Sequence, residues 1–118
     1  MLELGDELTH ETVDQCPVLD SQDDRLLQWI TDSGLSAIVA DNLAVEPFSL
    51  DPAPGADSVL PLHTHCLFKQ GIPLGEMWYL TDLARWLRAH GRSRFLLTAP
   101  PLRLPGAVGS PVTPLATV

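Results

Sequence analysis

Apolar residues recur every three or four positions in three stretches of the chain, the pattern of helices that bury one face. These stretches lie near residues 21–33, 59–70 and 81–90. Short apolar runs at residues 35–40 and 94–98 predict strands, the first buried on both faces, and residues 114–118 could add an edge strand. A helix followed directly by a strand predicts an α/β fold with three helices and three or four strands.

The boundaries of these helices follow from capping residues and glycines. Gly34 and Gly71 stand where a left-handed residue would end the first and second helices. Pro61 is tolerated in a first helical turn. The expected N-caps, which offer a side-chain oxygen to the first turn, are Asp20 or Ser21, Asp57 or Ser58, and Thr81. His90, beside Gly91, is expected to cap the C-terminus of the third helix.

Residues outside the apolar faces of these helices also lead to structural predictions. Trp29 flanks the buried stripe of the first helix, and we expect it to pack against a neighbouring element. Residues 46–57 contain three prolines and a glycine, which predicts a surface loop. Asp41 and Asn42 follow a strand end, where they could either stabilise a turn or supply ligand groups.

The segment at residues 60–80 brings two histidines and a carboxylate into an otherwise apolar stretch. At about 100° per residue, His63 falls in the middle of the apolar arc and points inward. His65 falls on the side of Lys69, toward solvent or a rim. Glu76 follows among apolar and aromatic residues with no basic residue nearer in sequence than Lys69, so its carboxylate needs a partner.

Two interpretations of this segment compete. In the first, His63 is a core histidine that bonds a backbone carbonyl, and Glu76 reaches solvent or pairs with a later arginine. In the second, imidazole and carboxylate converge on a divalent metal ion, as in hydrolytic zinc or manganese sites. No motif such as H-E-x-x-H decides between them.

Composition narrows the class of protein. The 118 residues carry a net charge of −8, with thirteen acids and one base in residues 1–60. An acidic surface argues against nucleic-acid and anionic-membrane partners, which require basic patches. Cys16 and Cys66 form neither a zinc ribbon nor a CxxC redox motif. The N-terminus has no basic region and no long apolar run, which predicts a cytoplasmic protein.

A family resemblance follows from three runs of sequence: DNLAVE at residues 41–46, LPLHTHCLFKQGIPLGE at residues 60–76, and PPLRLPGAVGSPVTPLA at residues 100–116. Together they resemble the C-terminal half of the cyclase family, metal-dependent hydrolases that include kynurenine formamidase and isatin hydrolase. The likeness implies an acidic N-terminal segment at residues 1–18 and a cyclase-like half-domain at residues 19–118.

The resemblance also implies a site. It makes His63 and Glu76 ligands of Zn²⁺ or Mn²⁺. Many members place the histidine twelve positions before the glutamate, at Thr64 here, whereas members with the L-P-L-H form place it thirteen before, at His63. His65 is a candidate for proton transfer or for a substituted ligand. Trp78 or Phe48 could line a pocket for an aromatic small-molecule substrate.

The chain departs from the family at one motif. Members carry a His-x-Gly-Thr-His-x-Asp run in their N-terminal half, and this sequence has none. We therefore expect metal binding and hydrolysis by this chain alone to be weak or absent. Three hypotheses remain open: part of an amide or lactam hydrolase, a non-catalytic remnant or interaction module, or one subunit of a split enzyme. A homo-oligomer or a complementing N-terminal half would be the partner.

Overall fold

A computed structural model describes residues 16–47 and 58–118 of the chain. The chain divides into two compact units, Met1–Tyr79 and Leu80–Val118. Within the described residues, no helix is long and apolar enough to cross a membrane. The division at residue 18 comes from the family resemblance and stays a prediction.

Among the described residues of the first unit, the first helix along the chain is α1, Asp24–Ser33, and its N-cap is Asp23. The Asp23 carboxylate accepts the Arg25 backbone N–H at 2.9 Å, so the prediction of Asp20 or Ser21 as cap was wrong. Asp20 instead accepts the Gln22 N–H one turn earlier. Gly34 ends α1 in the left-handed conformation, as the sequence predicts.

A short parallel pair of strands follows the helix. Strand β1, Ile38–Val39, pairs with strand β2, Leu74–Gly75, in the register Ile38 to Leu74 and Val39 to Gly75. The pair is shorter than the predicted strand, and β1 is half-buried where burial on both faces was expected. Parallel strands need a long crossover connection, and here that connection contains the central helix.

The central helix consists of α2, Pro61–His63, continued by a π-helix, Thr64–Gln70. Gly71 ends it with φ 68°, as predicted. Its start differs from the prediction: the N-cap position is Leu60, which has no capping side chain. Ser58 instead accepts the Leu60 N–H and hydrogen-bonds the Thr64 hydroxyl. Asp57 lies outside the described residues.

The core of the first unit lies between α1, the central helix and the strand pair. In the part of this unit that the structure describes, the buried apolar side chains are Ile30, Val45, Leu62, Cys66 and Ile72. Trp29 is 57% exposed, so the expectation that it packs against a neighbour was wrong. Within the described residues, no disulfide joins Cys16 and Cys66.

The second unit contains helix α3, Thr81–Ala89, and an antiparallel pair, β3 at Leu96–Thr98 and β4 at Leu115–Thr117. The N-cap of α3 is Leu80, one residue before the predicted Thr81. His90 caps the helix as predicted, because its Nδ1 lies 2.8 Å from the Trp86 carbonyl oxygen. Both strands exist where the sequence predicts them, and every residue of both is exposed.

Candidate metal centre

The imidazole of His63 lies between two carboxylates. His63 is the last residue of α2, and its Nδ1 is 2.7 Å from Glu46 Oε1. Its Nε2 is 3.4 Å from Glu76 Oε1. The side chain of His63 is 22% exposed and that of Glu76 is 27% exposed, so this edge of the ring remains open to solvent. The distance to Glu76 is within the ~5 Å that two ligands of one ion can span.

The Glu46 carboxylate is fully buried at the start of the central helix. Its Oε2 accepts the Leu62 N–H at 2.9 Å, and its Oε1 accepts the His63 N–H at 2.7 Å. Leu60 cannot cap, Pro61 has no N–H, and the Thr64 N–H donates to the Leu60 carbonyl. A carboxylate from another segment therefore satisfies the helix start, where the dipole favours negative charge.

Glu76 stands at the carboxyl end of β2, the edge where parallel sheets place ligand groups. Its Oε1 accepts the Val45 N–H at 2.9 Å. Beyond it, Met77 takes a left-handed conformation with φ 57°, and the Met77 and Trp78 N–H groups donate to carbonyls of Asn42 and Ala40. This turn ties Glu76 to the residues that follow β1.

Trp78 packs on the residue that precedes Glu76. A Cβ at Gly75 would lie 2.9 Å from Trp78 Cε2, so only glycine allows the indole to approach the backbone this closely. Trp78 is half-buried. Its proposed role in a substrate pocket stays a prediction, and Phe48 lies outside the described residues.

The two histidines of the central helix have different partners, and the sequence, which placed His65 toward solvent or a rim, did not predict the partner of His65. His65 Nε2 is 3.0 Å from the Thr31 hydroxyl of α1, so the ring links two helices. Its role in proton transfer stays a prediction. Thr64, the alternative ligand position, uses its hydroxyl to bond Ser58. The structure therefore brings His63, and not Thr64, to Glu76.

The thiol of Cys66 reports on the same environment. Cys66 is completely buried. Burial raises the pKa of its thiol, and the negative charge of Glu46 raises that pKa further. Cys66 is therefore a structural thiol, poorly suited to bind metal.

The arrangement of His63 and Glu76 fits part of a metal site. Two ligands at 2.0–2.2 Å from a tetrahedral ion lie about 3.4 Å apart, and the observed separation is 3.4 Å. Residues 16–47 and 58–118 contain no group of three or more histidine, cysteine or acidic side chains placed to hold a metal. Catalytic zinc sites have three protein ligands and an open position. The described residues thus supply two ligands of such a site.

Sequence reasoning missed Glu46. The sequence placed it at the start of a surface loop, and this was wrong because the side chain is buried under the central helix. One signal could have found it: a helix that begins with Leu60 and Pro61 lacks its own capping oxygen, so the Leu62 and His63 N–H groups require an acceptor from elsewhere. The sequence does not show which acidic residue provides it.

Solved structures provide a match to part of a longer protein. Over 78% of its length, the chain is similar to a protein whose crystal structure is described as that of a novel cyclase, with 39% identity and a TM-score of 0.63. The chain spans 28% of the length of that protein. No family model and no curated protein gives a significant match. The match supports the cyclase family and a cyclase-like fold for this chain.

Proposed function

We propose that this chain supplies His63 and Glu76 as two ligands of a divalent metal ion in a hydrolase that acts on amide or lactam C–N bonds. The observation that carries the proposal is the 3.4 Å separation of His63 Nε2 and Glu76 Oε1. Two acceptors this close repel each other unless a proton or a cation lies between them. The metal site that the cyclase-family resemblance implies favours the cation.

Val45 and Trp78, which lie near His63 and Glu76, have specific roles in the proposed function. A bound Zn²⁺ or Mn²⁺ would supply Lewis-acid activation of a scissile carbonyl and of water. The Val45 N–H fixes one oxygen of Glu76, which limits the directions in which the carboxylate can bind. Trp78, held over Gly75, offers an indole face for an aromatic substrate such as formyl-kynurenine or isatin.

The remaining ligands must come from other residues. Two protein ligands rarely fix a catalytic zinc ion, and the cyclase that this chain resembles is longer, with 28% of it matched. We infer that a histidine-rich N-terminal half, like the one that the family resemblance implies, completes the site. The chain alone should then bind metal weakly and hydrolyse neither substrate.

Calorimetry and a complementation assay test this function. Zn²⁺ and Mn²⁺ are titrated into the wild type, His63→Ala and Glu76→Ala, with His65→Ala as the matched control, because His65 bonds Thr31. Hydrolysis of formyl-kynurenine and isatin is then measured with and without a cyclase N-terminal half. We expect weak binding that His63→Ala and Glu76→Ala abolish, and activity only on complementation. Submicromolar binding with turnover by the chain alone would contradict the inferred incomplete site.

A second candidate function is a non-catalytic interaction module. The observation that favours it is that the described residues offer no cluster of three metal ligands. In this case His63 and Glu76 share a proton, and the pair acts only in packing. The same titration separates the two functions, because an interaction module shows no response to Zn²⁺ or Mn²⁺ in any variant.

A further inference from the structure

Glu46 contacts both the backbone and the ring of the proposed metal ligand His63. Its Oε1 accepts the His63 backbone N–H at 2.7 Å and lies 2.7 Å from His63 Nδ1. Its Oε2 accepts the Leu62 N–H. An ionised carboxylate has only acceptors, so the ring must donate the proton in the contact with Nδ1.

We propose that Glu46 is a positioning residue that holds the His63 imidazole with its proton on Nδ1, so that the Nε2 lone pair faces Glu76 and is available to a metal ion. This inference rests on the proposed function. Metal-binding histidines commonly donate their second ring N–H to a carboxylate, which fixes the tautomer and the ring orientation. Here the geometry supplies that partner within the same chain.

The surroundings of Glu46 make the alternative tautomer unfavourable. A proton on Nε2 alone would leave the Nδ1 lone pair 2.7 Å from a carboxylate oxygen with no hydrogen between them. The Glu46 side chain is 0% exposed, so water cannot relieve that repulsion. If the ring carries both protons, the Nδ1 proton still lies on Glu46 and the second proton faces Glu76. With Glu46 ionised, both of these ring states therefore keep a proton on Nδ1.

The position of the ring is also coupled to the helix start. The same carboxylate that orients His63 Nδ1 caps the Leu62 and His63 N–H groups. Rotation of Glu46 away from the ring would leave two backbone donors without an acceptor. The hydrogen bonds from the Leu62 and His63 N–H groups thus fix the position of the Glu46 carboxylate, and the carboxylate in turn fixes the orientation of the His63 ring.

Ring ¹⁵N NMR of the metal-free chain tests this directly. The protein is labelled with ¹⁵N-histidine, and the His63 signals are identified by their loss in His63→Gln. In the neutral ring, we expect a protonated Nδ1 and an unprotonated Nε2. A protonated Nε2 with a bare Nδ1 in the wild type would overturn the proposal, and no variant is needed for that result.

Variants separate positioning from a merely structural role. Glu46→Ala removes the acceptor, so it should lose the single Nδ1–H form, whereas the amide of Glu46→Gln keeps one acceptor oxygen that can still face Nδ1. Ile30→Val, a core change that leaves Glu46 intact, is the control for lost stability and should keep the Nδ1–H form. Retention of the Nδ1–H form in folded Glu46→Ala would refute the proposal.

Metal affinity distinguishes failure of this inference from failure of the proposed function. Loss of a carboxylate that orients a ligand commonly costs about 10–100-fold in metal affinity. We expect that loss for Zn²⁺ in Glu46→Gln and unchanged affinity in Ile30→Val. If the wild type binds no Zn²⁺, the proposed function fails, and the tautomer of the metal-free ring still decides the role of Glu46. If it binds Zn²⁺ and Glu46→Gln binds equally well, only the positioning role fails.

Discussion

Replacing Glu46 with glutamine should destabilise the first unit, although the two side chains have nearly the same shape. The two carboxylate oxygens accept from three N–H groups, those of Leu62, His63 and the His63 ring. A glutamine amide has one acceptor oxygen and one NH₂ group. In either orientation, at least one of these donors must face another donor inside the protein.

The expected loss of stability follows from two contributions. A buried donor without an acceptor costs about 1–3 kcal/mol. Removing a negative charge from a helix N-terminus costs about 0.3–1 kcal/mol, and up to ~2 kcal/mol where the site is partly buried. We therefore expect Glu46→Gln to lower the free energy of unfolding by about 2–4 kcal/mol. For a chain of this size, that corresponds to a fall in Tm on the order of 10–20 °C.

Thermal and urea unfolding measure this change. Asp32→Asn is the matched control, because it makes the same change in net charge at an exposed carboxylate whose partner is the Gln28 amide. Surface changes of this kind stay within about 0.5 kcal/mol. If Glu46→Gln lowers the free energy of unfolding no more than Asp32→Asn does, Glu46 is not the buried cap of the central helix.

Three further predictions follow from other parts of the structure. Gly75→Ala should displace the Trp78 indole and cost about 1–3 kcal/mol in urea unfolding, with altered tryptophan fluorescence, whereas Gly109→Ala, where a Cβ meets open space, should not. Hydrogen bonds from Arg25 lower the pKa of Asp23 from 3.8 to about 2, so the stability that Asp23 and Arg25 contribute is present above pH 3.8 and is lost as the pH falls toward about 2. Asp23→Asn, which can still cap α1, should lose this part of the pH dependence of Tm. An unchanged pH profile of Tm in this variant would contradict the prediction. The exposed leucines of β3 and β4, with Leu96 at 64%, should cause self-association that Leu96→Lys reduces in sedimentation, whereas a monodisperse wild type at high concentration would contradict this.

The sequence predicted the elements of the fold better than their boundaries. Periodicity located the three helices of residues 16–47 and 58–118, and glycines with left-handed conformations marked two of their ends. The predicted N-caps of α1 and α3 lie one to three residues from the observed ones, because several acids and hydroxyls near a helix start can each cap it. The start of the central helix is capped by Glu46, which belongs to another segment of the chain. Trp29 was expected to pack and is exposed, which burial statistics for tryptophan cannot foresee at a single position.

The candidate site was predictable only where its residues share one stretch of sequence. His63 and Glu76 lie in one segment, and a wheel of about 100° per residue placed His63 inward. On the same wheel Leu67 lies beside His63 and Leu62 lies at the edge of the His65 side, yet Leu62 is buried and Leu67 is 49% exposed. A π-helix, which has more residues per turn than an α-helix, explains part of this error for Leu67. Glu46 was missed because its contact with His63 spans 17 residues of chain.

Anomalous diffraction from crystals grown with Zn²⁺ is the most direct test of the metal centre. We expect a peak within about 2.0–2.2 Å of both His63 Nε2 and a Glu76 oxygen, with Glu46 still hydrogen-bonded to His63 Nδ1. The peak should vanish in Glu76→Ala crystals and persist in His65→Ala crystals. A zinc ion bound by His65 or Asp41, or crystals in which a proton alone bridges His63 and Glu76 at saturating zinc, would contradict the proposed metal site.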